Sequence, residues 1–510
     1  MPPAAPPSAR DRRLVEGPVP RTLAVFALPI LAGNVLQSLN GSVNAVWIGR
    51  HLGEAALTAA TNANNILFFL LGAVFGISMA ATILIAQATG AREPEVARRV
   101  MGTSATFFIG ISLLVAAAGL PLSRHVLGWM GTPAEALPLA DVYLRVIFLA
   151  VPFLYALAFV SAALRGAGDT RTPFLFLVVV VLLDIALNPL LIFGLGPLPE
   201  LGIAGAATAT LIANAASFLG LLLWLRHRRH PLWIGRAERR LYLPDPAVLR
   251  TLVVKGLPMG LQMVLISLSL IALISMVNGF GTETTAAYGA ALQLWTYVQM
   301  PAMAIGAACS SMAAQNVGAG LWPRVHAVAR AGVGFNFLMT GLLIAAIVLF
   351  DRYTLTLFLP VGSPAVEAAR HLNHIAIGSF LFFGVTFVIS GVVRSTGAVV
   401  PPLLILAFAL WGVRVPFAAF MQPVLGQDAV WWSFPVSGAG AMLLSLAYYR
   451  WGGWRRARML ERAVEATPAN VAAQATAPLA DAPPDIQPPL GSSSLARSPG
   501  EPGSSSNAPP

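Results

Sequence analysis

The chain has 510 residues, of which 57% are hydrophobic and only 10% are charged. This composition and a mean hydropathy of +0.74 exclude an ordinary soluble domain and indicate a protein whose helices are surrounded by lipid. The single cysteine, Cys309, excludes an intramolecular disulfide and most cysteine-based metal sites.

Twelve apolar segments of membrane-spanning length follow one another along the chain. They lie near residues 22–48, 57–85, 103–122, 142–164, 173–195, 203–225, 257–279, 287–312, 331–350, 372–393, 402–422 and 430–449. The sequence therefore predicts an all-α integral membrane protein with twelve transmembrane helices in two six-helix lobes. The predicted lobes are an N-terminal lobe over residues 22–225 and a C-terminal lobe over residues 256–450. A cytoplasmic N-terminal segment, residues 1–21, precedes them, and a cytoplasmic linker, residues 226–255, joins them. Residues 451–510 are predicted to be a cytoplasmic basic segment followed by a disordered Pro-, Ser- and Ala-rich tail.

The second half of the hydrophobic region repeats the first, about 229 residues further along the chain. The recurring groups are Leu28-Pro29 and Leu257-Pro258, then Ala86-Gln87 with Gly90 and Ala314-Gln315 with Gly318, then Arg165, Gly168 and Pro173 and their counterparts Arg394, Gly397 and Pro402. Because each half has an even number of spans, both halves enter the membrane in the same orientation. A pseudo-twofold axis along the membrane normal then relates the two lobes, with a cleft between them, as is typical of secondary transporters.

The basic residues predict the orientation of the helices. With a cytoplasmic N-terminus, 25 of the 32 Lys and Arg residues lie in predicted cytoplasmic segments. Five lie on the opposite side, namely Arg50, Arg124, Arg145, Arg352 and Arg370. This distribution follows the positive-inside rule and places both termini in the cytoplasm. The net positive charge is therefore a topology signal, with membrane lipids as expected partners and no case for nucleic acid.

The repeated Arg and Gly residues occupy the predicted cytoplasmic turns after spans four and ten. Gly168 and Gly397 are expected to permit tight turns, whereas Arg165 and Arg394 are expected to bond free helix-end carbonyls or lipid phosphates. A structural role is favoured over substrate binding, because arginines at helix ends commonly reach out of the hydrocarbon region.

Three motifs, in this order, resemble those of the multidrug and toxic compound extrusion (MATE) transporters. The motifs are Arg165-Gly166-Ala167-Gly168-Asp169-Thr170 with Pro173, then Asn188-Pro189-Leu190-Leu191-Ile192-Phe193-Gly194, then Gly202-Ile203-Ala204-Gly205-Ala206-Ala207-Thr208-Ala209-Thr210. The resemblance covers about residues 22–450. It implies two six-helix lobes in a bacterial cytoplasmic (inner) membrane, and export of organic compounds, often cations, in exchange for protons or sodium ions.

Asp184 is the only one of the 21 acidic residues that lies well inside a predicted span. An ionised carboxylate at this depth costs about 2.5 kcal/mol or more, and burial favours the neutral form that a proton-coupling site requires. Asn188 lies four residues further on, on the same helix face, so we predict that both residues take part in cation coupling. The alternative is a buried Asp that is held by hydrogen bonds for packing alone.

Other polar residues predict a wet cavity in the N-terminal lobe. Asn34, Gln37, Asn40 and Asn44 share an arc of about 120° on span one. Thr210 and Asn214 share a face of span six. The cavity-lining candidates in this lobe are Asn34, Gln37, Asn40, Thr210 and Asn214. For the span-one stripe, interhelical hydrogen bonding is an equally strong alternative.

The coupling site departs from the family pattern. Many prokaryotic members resemble Asn-x-x-x-Asp on span five, whereas this chain has the reverse order, Asp184-x-x-x-Asn188. Many also carry an acid near the end of span one, where this chain has Asn44, which we assign to the coupling site. A proton needs one titratable group, whereas sodium prefers more negative charge, so a proton is favoured over sodium as the coupling ion. No cofactor or metal site is predicted.

The candidate cavity residues of the C-terminal lobe are Gln262 on span seven, Tyr288 and Gln293 on span eight, and Arg414 in the middle of span eleven. Aromatic and amide side chains suit amphipathic aromatic ligands, although packing is the alternative for most of them. Arg414 has no acidic residue in the core of its lobe. It is expected to bind an anionic substrate or a lipid headgroup, or else to snorkel or bond helix carbonyls.

Together these patterns predict a monomeric antiporter that exports an amphipathic small molecule by alternating access. One alternative is a lipid-linked precursor flippase of related architecture, for which Arg414 is the best support. The other is a non-transporting membrane receptor or scaffold. An enzyme is not predicted, because the aqueous segments contain no metal cluster, nucleophile–base pair or phosphate-binding loop.

Overall fold

The computed structural model describes residues 14–194, 199–360, 362–457 and 459–460, without the side chains of Ala73 and Arg236. Most of the predicted N-terminal segment lies outside the described residues. So does the predicted disordered tail. Within the described residues every regular element is a helix, which confirms the predicted all-α fold.

The described residues form fourteen α-helices, two short 3-10 helices and one π-helix. The α-helices are α1 (Val19–Gly90), α2 (Pro94–Trp129), α3 (Leu137–Gly166), α4 (Arg171–Phe193), α5 (Ile203–His227), α6 (Pro246–Asn278), α7 (Thr282–Gly318), α8 (Trp322–Leu349), α9 (Asp351–Leu355), α10 (Pro364–Ala376), α11 (Ser379–Arg394), α12 (Val400–Ala407), α13 (Val415–Leu425) and α14 (Asp428–Trp451). The 3-10 helices are Arg236–Tyr242 and Gly453–Arg456, and the π-helix is Phe408–Arg414.

Helix α1 contains 72 residues and combines the first two predicted spans. At 1.5 Å per residue its two helical parts together trace about 108 Å of helix axis, enough for two passes across a bilayer. Its backbone is interrupted at Gly53, where φ is +85° and ψ is −179°, a conformation that glycine adopts without steric cost. The first two spans therefore meet at a single glycine rather than across a loop.

Nine helices of the described residues are long and apolar enough to cross a membrane: α1 to α6, α8, α14, and the continuous Val400–Leu425 segment formed by α12, the π-helix and α13. Helices α10 and α11 are bent by 45° relative to each other and make a tenth candidate if they form one span. Helix α7 is not in this set, and α1 counts once. The membrane-spanning architecture is confirmed, and the number of twelve spans stays a prediction.

The linker between the halves is shorter than predicted, because α6 already begins at Pro246. Asp245 caps this helix, since its carboxylate accepts hydrogen bonds from the backbone of Ala247 at 2.8 Å and of Val248 at 3.3 Å. The Arg236–Tyr242 helix is fastened to α2 through an ion pair between Glu238 and Arg98 at 2.7 Å. The linker therefore packs against the first half.

The terminal segments pack against the half of the chain that is remote in sequence. Leu23 and Phe26, at the start of α1, belong to the same buried apolar cluster as Met312 and Val392 of the second half. Met459, near the end of the described chain, belongs to the main apolar cluster of the first half. The boundary predicted at residue 22 therefore does not coincide with a boundary in packing.

Candidate functional site

Asp184 lies at the centre of a buried group of polar side chains from α1, α4 and α5. Its carboxylate is 1% exposed. One oxygen accepts hydrogen bonds from Asn40 Nδ2 at 2.8 Å and Asn44 Nδ2 at 2.7 Å, and the other accepts one from the Thr210 hydroxyl at 3.1 Å. Three donors replace the water that a buried carboxylate lacks. We call Asp184, Asn40, Asn44, Asn188 and Thr210 the carboxylate cluster.

Asn188 connects two members of the carboxylate cluster. Its Nδ2 donates to Asn44 Oδ1 at 2.9 Å and to the backbone carbonyl of Asp184 at 2.8 Å. The side-chain oxygens of Asn188 and Asn40 are buried and have no hydrogen-bond partner among the described residues. Buried polar atoms are nearly always paired, so these two oxygens are available to a cation or a water molecule.

Thr210 has a second acceptor for its hydroxyl group. The hydroxyl lies 3.3 Å from the carbonyl oxygen of Ala206, one helical turn back. It can therefore leave the Asp184 carboxylate without losing its hydrogen bond. Asn214 is 6% exposed and donates to the Thr210 carbonyl at 2.8 Å, so it supports the α5 side of the cluster without contacting Asp184.

The polar stripe of α1 divides into two parts. Asn40 and Asn44, one turn apart, hold the carboxylate. Asn34 is half-buried and Gln37 is exposed, and neither has a hydrogen bond to Asp184. The structure thus brings Asn40 and Asn44 of the predicted stripe into the site and leaves Asn34 and Gln37 outside it.

The sequence did not single out Tyr143 of α3, which the structure buries to 4% exposure. A tyrosine near the end of a predicted span usually indicates an interface anchor, so its position gave no signal of this burial.

A second group, aromatic and basic, lies in the C-terminal half. Tyr288 is 2% exposed and stacks on Trp431, with ring centroids 5.6 Å apart. The Arg414 guanidinium lies 4.5 Å from the Phe434 ring centroid, and its Nε donates to the Ser437 hydroxyl at 2.9 Å. We call Tyr288, Trp431, Arg414, Phe434 and Ser437 the arginine–aromatic cluster. Gln293, predicted to line the same cavity, is exposed and lies outside this cluster.

Gln262 binds a different arginine. Its Oε1 accepts a hydrogen bond from Arg394 Nη1 at 2.8 Å, and the two residues are 5% and 3% exposed. The expected contact of Arg394 with lipid phosphates is therefore wrong, because its guanidinium is buried against an amide inside the protein. Gln262 accordingly positions Arg394 rather than lining the arginine–aromatic cluster.

Two pseudo-symmetric hydrogen bonds join the halves near the predicted turns. Gln87 Nε2 donates to the Ser395 carbonyl at 2.6 Å, and Gln315 Nε2 donates to the Gly166 carbonyl at 2.8 Å. We call this pair of contacts the seam. The backbones approach closely here, because a Cβ atom on Gly90 would overlap the Gln315 carbonyl. The sequence repeat singled out these glutamines and glycines, but it gave no sign that they face each other.

The two repeated turn glycines lie beside the seam. Gly168 has φ of +94° and Gly397 has φ of +96°, in the region that favours glycine. A Cβ atom on Gly168 would also lie 3.2 Å from Gln315 Nε2. These glycines therefore shape the turns that carry the seam.

Comparison with known proteins identifies relatives over most of the chain. The sequence model of the family described as MatE matches residues 29–190 and 258–420, one stretch in each half. "Probable multidrug resistance protein YoeA" of Bacillus subtilis (strain 168) is 38% identical over 432 residues, which cover 84% of this chain and 93% of the relative. "Probable multidrug resistance protein YpnP" of the same organism is 32% identical over 445 residues, covering 87% and 98%.

Solved structures show the same fold. The crystal structure of MATE in the bent conformation aligns with a TM-score of 0.80 at 21% identity, over 90% of this chain and 100% of that chain. An outward-facing conformation of a multidrug resistance MATE family transporter of the MOP superfamily aligns with a TM-score of 0.80 at 21% identity, over 88% and 98%. These likenesses confirm the architecture of two lobes built from membrane helices.

Proposed function

The chain belongs to the MatE family of multidrug and toxic compound extrusion transporters, and from this premise we propose that it is a secondary antiporter that exports amphipathic organic compounds. The observation that carries the proposal is the three-donor arrangement around Asp184. Beside this carboxylate, the buried side-chain oxygens of Asn40 and Asn188 have no partner among the described residues, so the cluster has acceptors to offer a cation. The names of the relatives support a small-molecule substrate.

Protonation of Asp184 couples to movement because it changes the hydrogen bonds that the carboxyl group can make. An ionised carboxylate accepts from all three donors, but a protonated one has a donor of its own. A proton on the oxygen that Asn40 and Asn44 share requires one amide to turn its oxygen to the carboxyl group or leave it, whereas a proton on the other oxygen requires only that the Thr210 hydroxyl rotate to the Ala206 carbonyl. Since Asn40 and Asn44 belong to α1, a proton on their shared oxygen repacks α1 against α4 and α5.

A proton is the favoured coupling ion. It needs only the one carboxylate of Asp184 as a titratable group. Sodium is the alternative, because turning the amides would direct the side-chain oxygens of Asn40 and Asn188 towards a cation. With one acid and otherwise neutral ligands, the carboxylate cluster offers sodium less negative charge to offset its dehydration than a site with two carboxylates would.

Alternating access follows from the seam. It lies beside turns that the positive-inside rule places in the cytoplasm, so a closed seam shuts the cytoplasmic entrance to the cleft. Opening requires Gln87 and Gln315 to release the Ser395 and Gly166 carbonyls. We assign the protein to a bacterial cytoplasmic membrane with cytoplasmic termini and to a monomeric state, in contact with membrane lipids.

The test is efflux of a fluorescent organic cation from proteoliposomes, with proton and sodium gradients imposed separately. Wild type is compared with Asp184→Asn and with Asp141→Asn, whose carboxylate pairs with Arg145 at 3.1 Å outside the carboxylate cluster. We expect proton-driven flux that Asp184→Asn abolishes and Asp141→Asn retains.

Each other outcome has a defined meaning. Sodium-driven flux would show that sodium, and not the proton, is the coupling ion. Undiminished gradient-driven flux in Asp184→Asn would show that this residue has no role in coupling. If neither a cationic nor an anionic amphipathic compound shows flux under either gradient, the antiporter proposal fails and a lipid-translocation assay becomes the next experiment.

A further inference from the structure

Arg414 is a membrane-embedded cation without an acidic partner. It forms no ion pair with any residue that the structure describes. The acids of the C-terminal lobe are Glu283, Asp351, Glu367 and Asp428. Asp351 and Glu367 pair with Arg370, and Asp428 pairs with His371. An unpaired charge inside a membrane protein is costly and a guanidinium does not release its proton, so Arg414 is suited to receive a negative group from a ligand.

Most of the hydrogen-bonding capacity of Arg414 is unused. Of its five N–H groups, only the one on Nε is engaged, by the Ser437 hydroxyl. The four on the Nη atoms have no hydrogen-bond partner among the described residues, and the side chain is only partly buried, so a ligand can reach them. Planar guanidinium N–H pairs match the two oxygens of a carboxylate.

Tyr288 provides a second, independent donor. Its hydroxyl is buried and has no hydrogen-bond partner among the described residues, and the residue is 2% exposed. The Tyr288 ring meets Trp295 with ring centroids 6.1 Å apart, and Trp295 packs on Phe434, the ring that carries the Arg414 guanidinium. A buried tyrosine hydroxyl normally has a partner, so an unpartnered one beside an unpaired arginine indicates a place for an acceptor.

Aromatic rings surround these donors. Tyr288 stacks on Trp431, Trp295 meets Phe434 edge-on with centroids 5.0 Å apart, and Phe434 carries the Arg414 guanidinium on its face. Rings arranged in this way give an apolar ligand both burial and stacking. The ligand that fits combines an aromatic body with a negative group.

The backbone at Arg414 has an unusual form. Arg414 ends the π-helix Phe408–Arg414, and Pro416 follows two residues later. Proline has no N–H, and its ring collides with the carbonyl four residues earlier, which favours a wider turn before it. Single π-turns within α-helices are frequent at functional sites.

We infer that the C-terminal lobe contains a binding site for the anionic group of an amphipathic aromatic carboxylate. The Arg414 Nη atoms bind the carboxylate as a pair, Tyr288 donates its hydroxyl, and Trp431 and Phe434 contact the aromatic body. This inference rests on the proposed export function and deepens it, because it names the substrate class. The coupling cation then binds at Asp184 in the N-terminal lobe and the substrate anion in the C-terminal lobe, so the two charges do not compete for one group.

The experiment is equilibrium binding to the purified full-length protein in neutral detergent, without any ion gradient. The probes are dansylglycine and its uncharged amide, followed by dansyl fluorescence on excitation of the protein tryptophans. We expect the carboxylate to bind at least about tenfold more tightly than the amide, and Arg414→Gln to weaken carboxylate binding by about 10- to 100-fold with little change for the amide.

Three further variants make the result specific. Arg414→Lys keeps the positive charge but not the planar pair of guanidinium N–H groups, so it should retain only part of the affinity for the carboxylate. Tyr288→Phe should weaken carboxylate binding by about 3- to 10-fold. Arg352→Gln removes an arginine whose side chain is 69% exposed in the same half, and should bind both probes as wild type does. Unfolding temperatures of all variants exclude loss of fold as the cause.

Equal binding of carboxylate and amide by wild type, or unchanged carboxylate binding by Arg414→Gln, would overturn the inference. A lipid headgroup is tested by adding phosphatidylglycerol. If that lipid displaces the probe at low molar ratio while zwitterionic lipid does not, the anion is a lipid and the substrate assignment is wrong. Because no flux is measured, the outcome is independent of the transport test: gradient-driven flux with no carboxylate preference refutes only the site, whereas carboxylate preference without driven flux refutes only the antiporter.

Discussion

Gly90→Ala should shift the protein away from the state in which the seam is closed. The new Cβ atom would overlap the backbone carbonyl of Gln315, which cannot move without displacing α7. Overpacking of this kind costs about 1–3 kcal/mol, and here the cost applies only while the seam is closed. The ratio of open to closed molecules should therefore rise by about 5- to 150-fold.

The shift is measured as a distance distribution between two spin labels in detergent and in lipid nanodiscs. Arg92→Cys and Leu321→Cys place labels at exposed positions that line the same surface cleft beside the seam, in a background with Cys309→Ala. In the closed state the distribution should have one short component. Gly90→Ala should add a longer component or increase an existing one.

Gly110→Ala is the matched control, because nothing lies within 4 Å of its added Cβ atom. It should leave the distribution unchanged, since an exposed helical Gly→Ala change adds only helix propensity. The reasoning is refuted if Gly90→Ala and Gly110→Ala give the same distances, because the close approach of the two backbones would then carry no conformational cost.

Three further predictions concern the seam, the turns and the ion pairs of Asp351. Gln87→Leu leaves the Ser395 carbonyl without its donor, which costs about 1–3 kcal/mol, and should lengthen the same label distances; an unchanged distribution contradicts this. Gly397→Ala places a Cβ atom on a residue with φ of +96° and within 2.9 Å of Met459 Cβ. The free energy of unfolding should fall by about 1–3 kcal/mol, and the unfolding temperature should fall with it. An unfolding temperature equal to that of wild type would contradict this prediction. Burial opposes ionisation of Asp351, but hydrogen bonds from Arg370 and the Arg352 backbone hold its pKa below the usual range. Its stabilisation is therefore present above the unfolded pKa of about 3.9 and lost as pH falls through the lowered folded value. Asp351→Asn should thus lower the unfolding temperature at neutral pH and converge with wild type in acid, and a constant difference at all pH values would show the reasoning to be wrong.

The carboxylate cluster shows why part of the site can be predicted from the sequence. A lone acid within an apolar span is conspicuous, and a spacing of four residues puts Asn188 on its face regardless of tertiary structure. Helical periodicity likewise grouped Asn40 and Asn44. It could not separate them from Asn34 and Gln37, because the depth at which α1 meets α4 depends on packing between distant segments.

Contacts between the two halves could not be predicted from the sequence for a related reason. The repeat identified Gln87 and Gln315 as counterparts, but two counterparts can lie either close to the pseudo-twofold axis or far from it. Only the packed structure distinguishes these cases. Gln262 illustrates the opposite error: its position on a polar face suggested a cavity, whereas a buried arginine from α11 takes up its oxygen. Likewise, the residues between the first two predicted spans, 22–48 and 57–85, are helical apart from a backbone break at Gly53.

Proton release on substrate binding tests the central claim most directly. The transported fluorescent compound is added to weakly buffered, purified protein from about pH 5 to about pH 8, and the protons released per bound molecule are counted. If Asp184 is the coupling group, wild type and Asp141→Asn should release up to about one proton at the most responsive pH, and Asp184→Asn should release none. Equal release from Asp184→Asn and wild type would show that another group carries the coupling proton.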